Sequence, residues 1–328
     1  MTTINGTITS ANPGPALYTA IETAALADGW TLDDTVVIGG NTHKVLKSAA
    51  AGNVQNLDWF LDINYPTTGV TGGIRFTPFE SYNAGTDQGT RGPFSGTSNT
   101  TIDATTYSRY GATGSALETN WANTTSYTGL SHALTTSAFS YRISVTRNRI
   151  IALLTNNVSQ IAYAGFFTPT AAHASWAGAA LFPLVVAKLT IGTASSTSEN
   201  SAASVTACLT RLPKVAALAS SGWGHHVTIP TTTTYIGTQG EGQIGVADSP
   251  FTGRRSFAPL RIWGNSSGTS ASVPGTSTPG LDELGSLDDV GIGYVLSSSI
   301  REDSVTVGAE TWYATTPSAS ATLFFRGI

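Results

Sequence analysis

The sequence predicts a mainly β protein: antiparallel sheets in a sandwich-like arrangement, one short N-terminal helix, and long ordered loops. Three observations carry this. Apolar residues mostly recur with period two, in runs of strand length. Gly, Asn, Pro and Ser/Thr clusters break those runs at short intervals, with 35 Gly and 14 Pro in 328 residues. One N-terminal segment stands out for its helical spacing.

That helix follows the breaker cluster Asn12-Pro13-Gly14-Pro15, where Pro15 suits a first turn. Leu17, Ile21 and Ala24/Ala25 share its apolar face, and Asp28-Gly29 ends it with Gly29 at C′. From Trp30 the period becomes two. Thr35–Ile38, a Gly39-Gly40-Asn41 turn and Thr42–Leu46 read as a hairpin, and Leu57–Asn64 and Thr71–Phe79 as two further strands. Helix and meander together are expected to bury one face of a sheet. Residues 1–80 form this first unit.

Residues 81–135 are dense in Gly, Ser, Thr and Asn. Tyr107, Tyr110, Trp121 and Tyr127 mark them as an ordered, loop-rich arm. Residues 136–328 form the main β domain. Its clearest signal is a meander from Phe139 to Phe167, turning at Thr146-Arg147-Asn148 and at Asn156 and stopped by Pro169. Ala171–Leu189 fits a short helix or a strand equally. Trp223–Ile229 and much of Val290–Phe325 read as strands, separated by Ser/Thr/Gly/Pro-rich loops. Asp34-Thr-Val-Val-Ile-Gly-Gly-Asn-Thr42 is echoed without gaps by Asp303-Ser-Val-Thr-Val-Gly-Ala-Glu-Thr311. Duplication and convergence on good hairpin chemistry both explain the echo.

Only 11% of the chain is charged, with 16 Lys+Arg against 20 Asp+Glu. Roughly 25% is ordinary. Lysine is confined to Lys44, Lys47, Lys188 and Lys214. Such a surface is coated with hydroxyls or covered by other subunits, which points to an assembly part. A net charge of −4 argues against a nucleic-acid partner. No apolar run is long enough for a membrane-spanning helix, so no membrane insertion is expected, and Met1–Gly6 shows no secretory pattern. The lone Cys208 excludes an internal disulfide and a cysteine metal cluster, and reads as a small buried hydrophobe.

Candidate chemistry is sparse. His225 and His226 are adjacent in a strand and point to opposite faces; His43, His132 and His173 lie in separate segments. No zinc spacing is present, and no metal or cofactor is expected. Asp58 and Asp62 bracket Trp-Phe-Leu and read as a half-exposed strand edge; Asp282/Glu283 and Asp288/Asp289 are further acidic pairs. No Gly-x-Ser-x-Gly elbow with sensible flanks occurs, and Gly237-Thr-Gln-Gly-Glu-Gly242 lacks a phosphate-loop ending. No catalytic residue is assigned, and the chain reads as no enzyme. The charges of the last third segregate. Arg254, Arg255 and Arg261 precede an acidic group that includes Asp288, Asp289, Glu302 and Asp303. The basic patch of one copy meeting the acidic patch of the next would set register; two solvated faces explain the pattern equally.

The stretch Arg142-Ile-Ser-Val, Arg149-Ile-Ile-Ala and Asn157-Val-Ser-Gln-Ile-Ala-Tyr-Ala-Gly-Phe-Phe167, followed by Thr168-Pro169 to Trp176 and Leu181-Phe-Pro-Leu184, resembles a segment of virion structural proteins of tailed bacteriophages. Leu287-Asp-Asp-Val290, Glu302–Gly308, Trp312 and Leu323–Gly327 are similar to the ending of those proteins. Residues 190–280 carry no such likeness. The resemblance implies a non-enzymatic virion component, made and assembled in the host cytoplasm, whose partners are copies of itself and other virion proteins. Tail, tail tip or baseplate is the expected place, by analogy with other Thr/Ser/Gly-rich β proteins. A carbohydrate-binding receptor protein is the alternative, with Trp121, Trp176, Trp223 and Trp263 stacking on host-surface glycan. A glycan depolymerase using Asp58 and Asp62 is the second alternative.

Overall fold

The computed structural model describes residues 1–38, 40–70, 73–79, 81–85, 87–90, 115–116, 130–132, 134–155, 159–169, 184–190, 207–212, 222–228, 258–265, 281–293, 304–314 and 322–327. The elements begin with β1 (Thr2–Ile8), α1 (Pro13–Ala27), β2 (Thr31–Ile38), β3 (Asn41–Ser48), β4 (Trp59–Pro66) and β5 (Ile74–Phe79). Four short strands follow: β6 (Ser81–Asn83), β7 (Gln88–Thr90), β8 (Ser115–Ala116) and β9 (Leu130–His132). Then come β10 (Phe139–Thr146), β11 (Arg149–Thr155), β12 (Ser159–Pro169), β13 (Leu184–Thr190), β14 (Ala207–Leu212) and β15 (Gly222–Thr228). The chain closes with β16 (Ala258–Asn265), β17 (Leu281–Gly293), β18 (Ser304–Val307), β19 (Glu310–Ala314) and β20 (Thr322–Arg326).

All pairings between these strands are antiparallel. The large sheet has twelve strands in the order β1-β10-β11-β12-β13-β14-β15-β16-β17-β20-β19-β18. It curls into a half-barrel, and the far end of β12 pairs again with β17 through Phe167↔Leu287. A smaller five-stranded sheet runs β2-β3-β4-β5-β9, and β6-β7-β8 make a third. The fold is mainly β with one helix. No described helix is long and apolar enough to cross a membrane.

One apolar core joins the two main sheets. Trp59, Leu61, Ile63 and Tyr65 of β4 and Ile74 and Phe76 of β5 meet Ile143, Val145, Ile150, Ala152, Ala164 and Phe166 of the large sheet. Helix α1 fills one side of this layer with Leu17, Tyr18, Ile21, Ala24 and Ala25. The period-two pattern of β10–β12 places alternate residues on opposite faces. Both faces are covered here: Ile151, Leu153, Ile161 and Tyr163 are buried as well. Strands β4 and β5 are likewise buried throughout, so the smaller sheet does not cover a single face as its meander pattern suggests.

The helix start and stop follow local chemistry. Asn12 does not cap α1; its Oδ1 accepts the Gly69 N–H at 2.7 Å, and prolines open the helix. Gly29, at φ +86°, ends it in a Schellman motif, with Gly29 N–H bonded to Leu26 O and Trp30 N–H to Ala25 O. Trp30 then packs into the core beside Ala25.

The β10–β11 turn is the fastening point between the sheets. The Arg147 carbonyl accepts from Trp59 Nε1 at 3.1 Å and from Ser48 Oγ at 2.6 Å, and Thr146 O accepts from Trp30 Nε1 at 3.0 Å. The Arg147 guanidinium reaches the carbonyls of Asp28 and Ala51. A Cβ at Gly29 or Gly52 would overlap that guanidinium. Asn148 Oδ1 accepts the Val54 N–H at 2.8 Å. The 49–58 loop is itself knit by Asn53, whose side chain bonds Ala49 O, Leu57 O and the Gln55 N–H.

Gly165 lies opposite Arg149 in the β11–β12 ladder. A Cβ there would sit 2.4 Å from the Asn148 carbonyl oxygen and 2.5 Å from the Arg149 Cα. Both obstacles are backbone, so no rotamer change relieves them. Gly165→Ala is expected to destabilise by at least about 1–3 kcal/mol, read from urea midpoints; an unchanged midpoint contradicts this close approach.

Several strands differ from the sequence-based expectation. The Met1–Gly6 region carries no strong signal of its own, yet it lies in an edge strand on β10, from Thr2↔Val145 to Ile8↔Phe139. Within 81–135, β9 completes the smaller sheet through Ile74↔His132. Of the stretch read as a short helix or a strand, the described part from Leu184 on lies in strand β13 (Leu184–Thr190), and Cys208 lies in strand β14 opposite Ala187. The echoed hairpins share one register: Ile38↔Asn41 in the first matches Val307↔Glu310 in the second.

Candidate assembly site and buried polar networks

Asp288 and Asp289 owe their position to a break in a ladder. Along β16 the register advances from Pro259 to Arg261, while β17 runs from Gly291 back to Ser286. The extra β17 residues are thrown out as a bulge, and Asp289 takes φ +60°. Leu287 pairs to β12 and Val290 to β20, so the bulge faces the junction of three strands. Two adjacent aspartates suit it, because Asp tolerates the left-handed region and an ordinary strand would bury one of them.

The junction supplies partners for both. Arg149 Nε donates to Asp289 Oδ2 at 2.8 Å, and its Nη2 reaches the same oxygen. Arg326 Nε pairs with Asp289 Oδ1 at 2.7 Å, and Arg326 Nη1 donates to Glu310 Oε1 at 2.6 Å. Trp312 Nε1 donates to the other Glu310 oxygen at 3.3 Å. Thr168 donates to Asp288 Oδ1 at 2.6 Å. Arg149 is 1% exposed and Asp289 18%, so the pair is largely withdrawn from water. The network ties β11, β12, β17, β19 and β20 together.

Burial pushes the Asp288 carboxyl above the usual carboxylate range, and neighbouring Asp289 adds to this; Thr168, Arg149 and Arg326 oppose it. Asp288 therefore binds its proton more tightly folded than unfolded. Its contribution to stability falls as pH rises through the interval between the two values. Asp288→Asn keeps the acceptor for Thr168 and removes the titration. The stability of Asp288→Asn relative to wild type is expected to grow as pH is raised from about 4 to about 7, measured by urea unfolding. A difference that shrinks with rising pH contradicts the burial argument.

The predicted interface residues thus divide. Asp288 and Asp289 are engaged within the chain, so a contact with another copy has to compete with Thr168, Arg149 and Arg326. Arg261 lies on β16 opposite Ser286. Arg254, Arg255, Glu302 and Asp303 lie outside the described residues. Arg149, Arg326 and Glu310 were not singled out from the sequence. The signal was there: Arg149 opens the apolar run Arg-Ile-Ile-Ala-Leu-Leu, and a cation in such a strand requires a carboxylate.

Of the tryptophans considered for glycan stacking, Trp223 lies on β15 opposite Arg211, and Trp263 on β16 opposite Val227. Trp121 and Trp176 lie outside the described residues. His225 and His226 occupy consecutive positions on β15, opposite Leu209 and Cys208.

A second polar group lies on the face of the smaller sheet turned away from the shared core. His43, Asp62, Asn64, Arg75 and Thr77 occupy neighbouring positions in the ladder and are all buried. His43 Nδ1 meets Asp62 Oδ2 at 2.9 Å, and Asn64 Nδ2 donates to the same oxygen at 2.9 Å. Beside them Val45, Phe60 and Phe79 form a small apolar cluster with Val36, Ile38 and Tyr82. Asp62 is not on a half-exposed edge: β4 is an inner strand, and Asp62 is 0% exposed. Asp58 is exposed, paired to Lys47 at 2.7 Å and accepting the Ala50 N–H. The Lys47 and Ala50 hydrogen bonds hold its carboxyl below the usual range. One carboxylate is sealed and the other serves a surface loop, so these two do not line a common open cleft as the depolymerase reading requires. Among the described residues, no three His, Cys, Asp or Glu gather to hold a metal ion.

No model of a known protein family matches the chain, and a search of curated proteins finds no match.

Proposed function

We propose that the chain is a non-enzymatic structural subunit of a tailed-phage particle, assembling in multiple copies in the tail, tail tip or baseplate. The observation that carries this reading is the Arg142–Phe167 stretch, which resembles a segment of virion structural proteins of tailed bacteriophages. That stretch lies in the β10–β12 meander, next to the β1 edge of the large sheet, where helix α1 and the smaller sheet pack. Two further facts support it. The sparse charge of the chain suits a subunit whose surface is covered by neighbours. Several of the described charges pair within the chain, at Arg149, Asp289, Arg326 and Glu310, where they brace strands.

Purified particles test the proposal. Mass spectrometry of particles banded by density is expected to find the chain at a fixed stoichiometry to the other structural proteins, and particle density to place it in the tail. Absence from banded particles overturns the reading. Its presence in the head or neck overturns the placement alone.

A further inference from the structure

We draw no further inference here: the strongest candidate, the buried polar cluster on the outer face of the smaller sheet, where Asp62 Oδ1, Asn64 Oδ1 and the Thr77 hydroxyl meet no hydrogen-bond partner among the described residues, carries nothing, because a buried water and a cation would serve these three oxygens equally and nothing in the structure selects between them.

Discussion

Asp289→Ala is expected to destabilise the fold by about 3–5 kcal/mol. The cost comes less from the lost attraction than from what remains. Arg149 is 1% exposed, and Asp289 is the carboxylate its guanidinium meets. Removing it leaves a buried cation with its desolvation uncompensated. Arg326 suffers less, because Glu310 still holds its other nitrogen at 2.6 Å. The double variant Arg149→Met/Asp289→Ala separates these effects. Replacing both members of a buried pair with apolar groups is close to neutral, so the double variant is expected to recover most of the loss. Urea unfolding of the three proteins measures it. A single-variant loss under about 1 kcal/mol, the scale of a surface pair, contradicts a buried clasp.

The same network shows why part of this molecule is readable from sequence and part is not. Helix α1, the β2–β3 hairpin and the β10–β12 meander are local: capping glycines, turn residues and apolar periods lie within the segment they shape. The sequence places them to within a few residues. Strand β1 has no comparable pattern, since Thr2–Ile8 is polar on much of its length and half-exposed. Its strand state comes from the free edge of β10, more than a hundred residues away in the chain. The bulge at Asp288–Asp289 is intermediate. Adjacent aspartates inside a strand-like run announce an irregularity, but only the closing of β12 on β17 reveals that Arg149 and Arg326 are the groups it serves. The charge segregation of the last third is therefore partly an intrachain matter: Asp289 is met by arginines from two other strands of the same chain.

Asp62 makes the complementary point. Flanked by Phe60, Leu61 and Ile63, it looks like the polar half of an alternating edge strand. That inference assumes the second face of the sheet is wet. Here both faces of β4 are buried, so the alternation separates an apolar core face from one that mixes His43, Asp62 and Asn64 with Val45 and Phe60. A buried carboxylate in such a place has to be paired, and the partner His43 sits on the adjacent strand. The histidine and aspartate are 19 residues apart in sequence, brought together by the β3–β4 register across the 49–58 loop.

Trp59→Ala is expected to cost about 3–5 kcal/mol and to loosen both sheets together. The indole is 0% exposed. It stands edge-on to Trp30 with centroids 4.7 Å apart and lies 5.5 Å from the Phe166 ring. One side chain thus links the α1–β2 connection, the smaller sheet and β12 of the large sheet, and its Nε1 also holds the turn at Arg147. The hydrogen bond is the lesser part, since Arg147 O retains the Ser48 hydroxyl; losing it costs about 0.5–1.5 kcal/mol. Trp59→Phe, which keeps much of the ring, is accordingly expected to lose less than half as much as Trp59→Ala. The consequence reaches beyond one residue. The sequence divides at residue 80 by composition, yet the apolar core runs from Ile8 to Val186 without regard to that boundary. If that core is one cooperative unit, far-ultraviolet circular dichroism and tryptophan fluorescence of Trp59→Ala shift to the same lower urea midpoint. A fluorescence transition that moves while the dichroism of the large sheet stays in place contradicts this, and makes the N-terminal unit an independent domain.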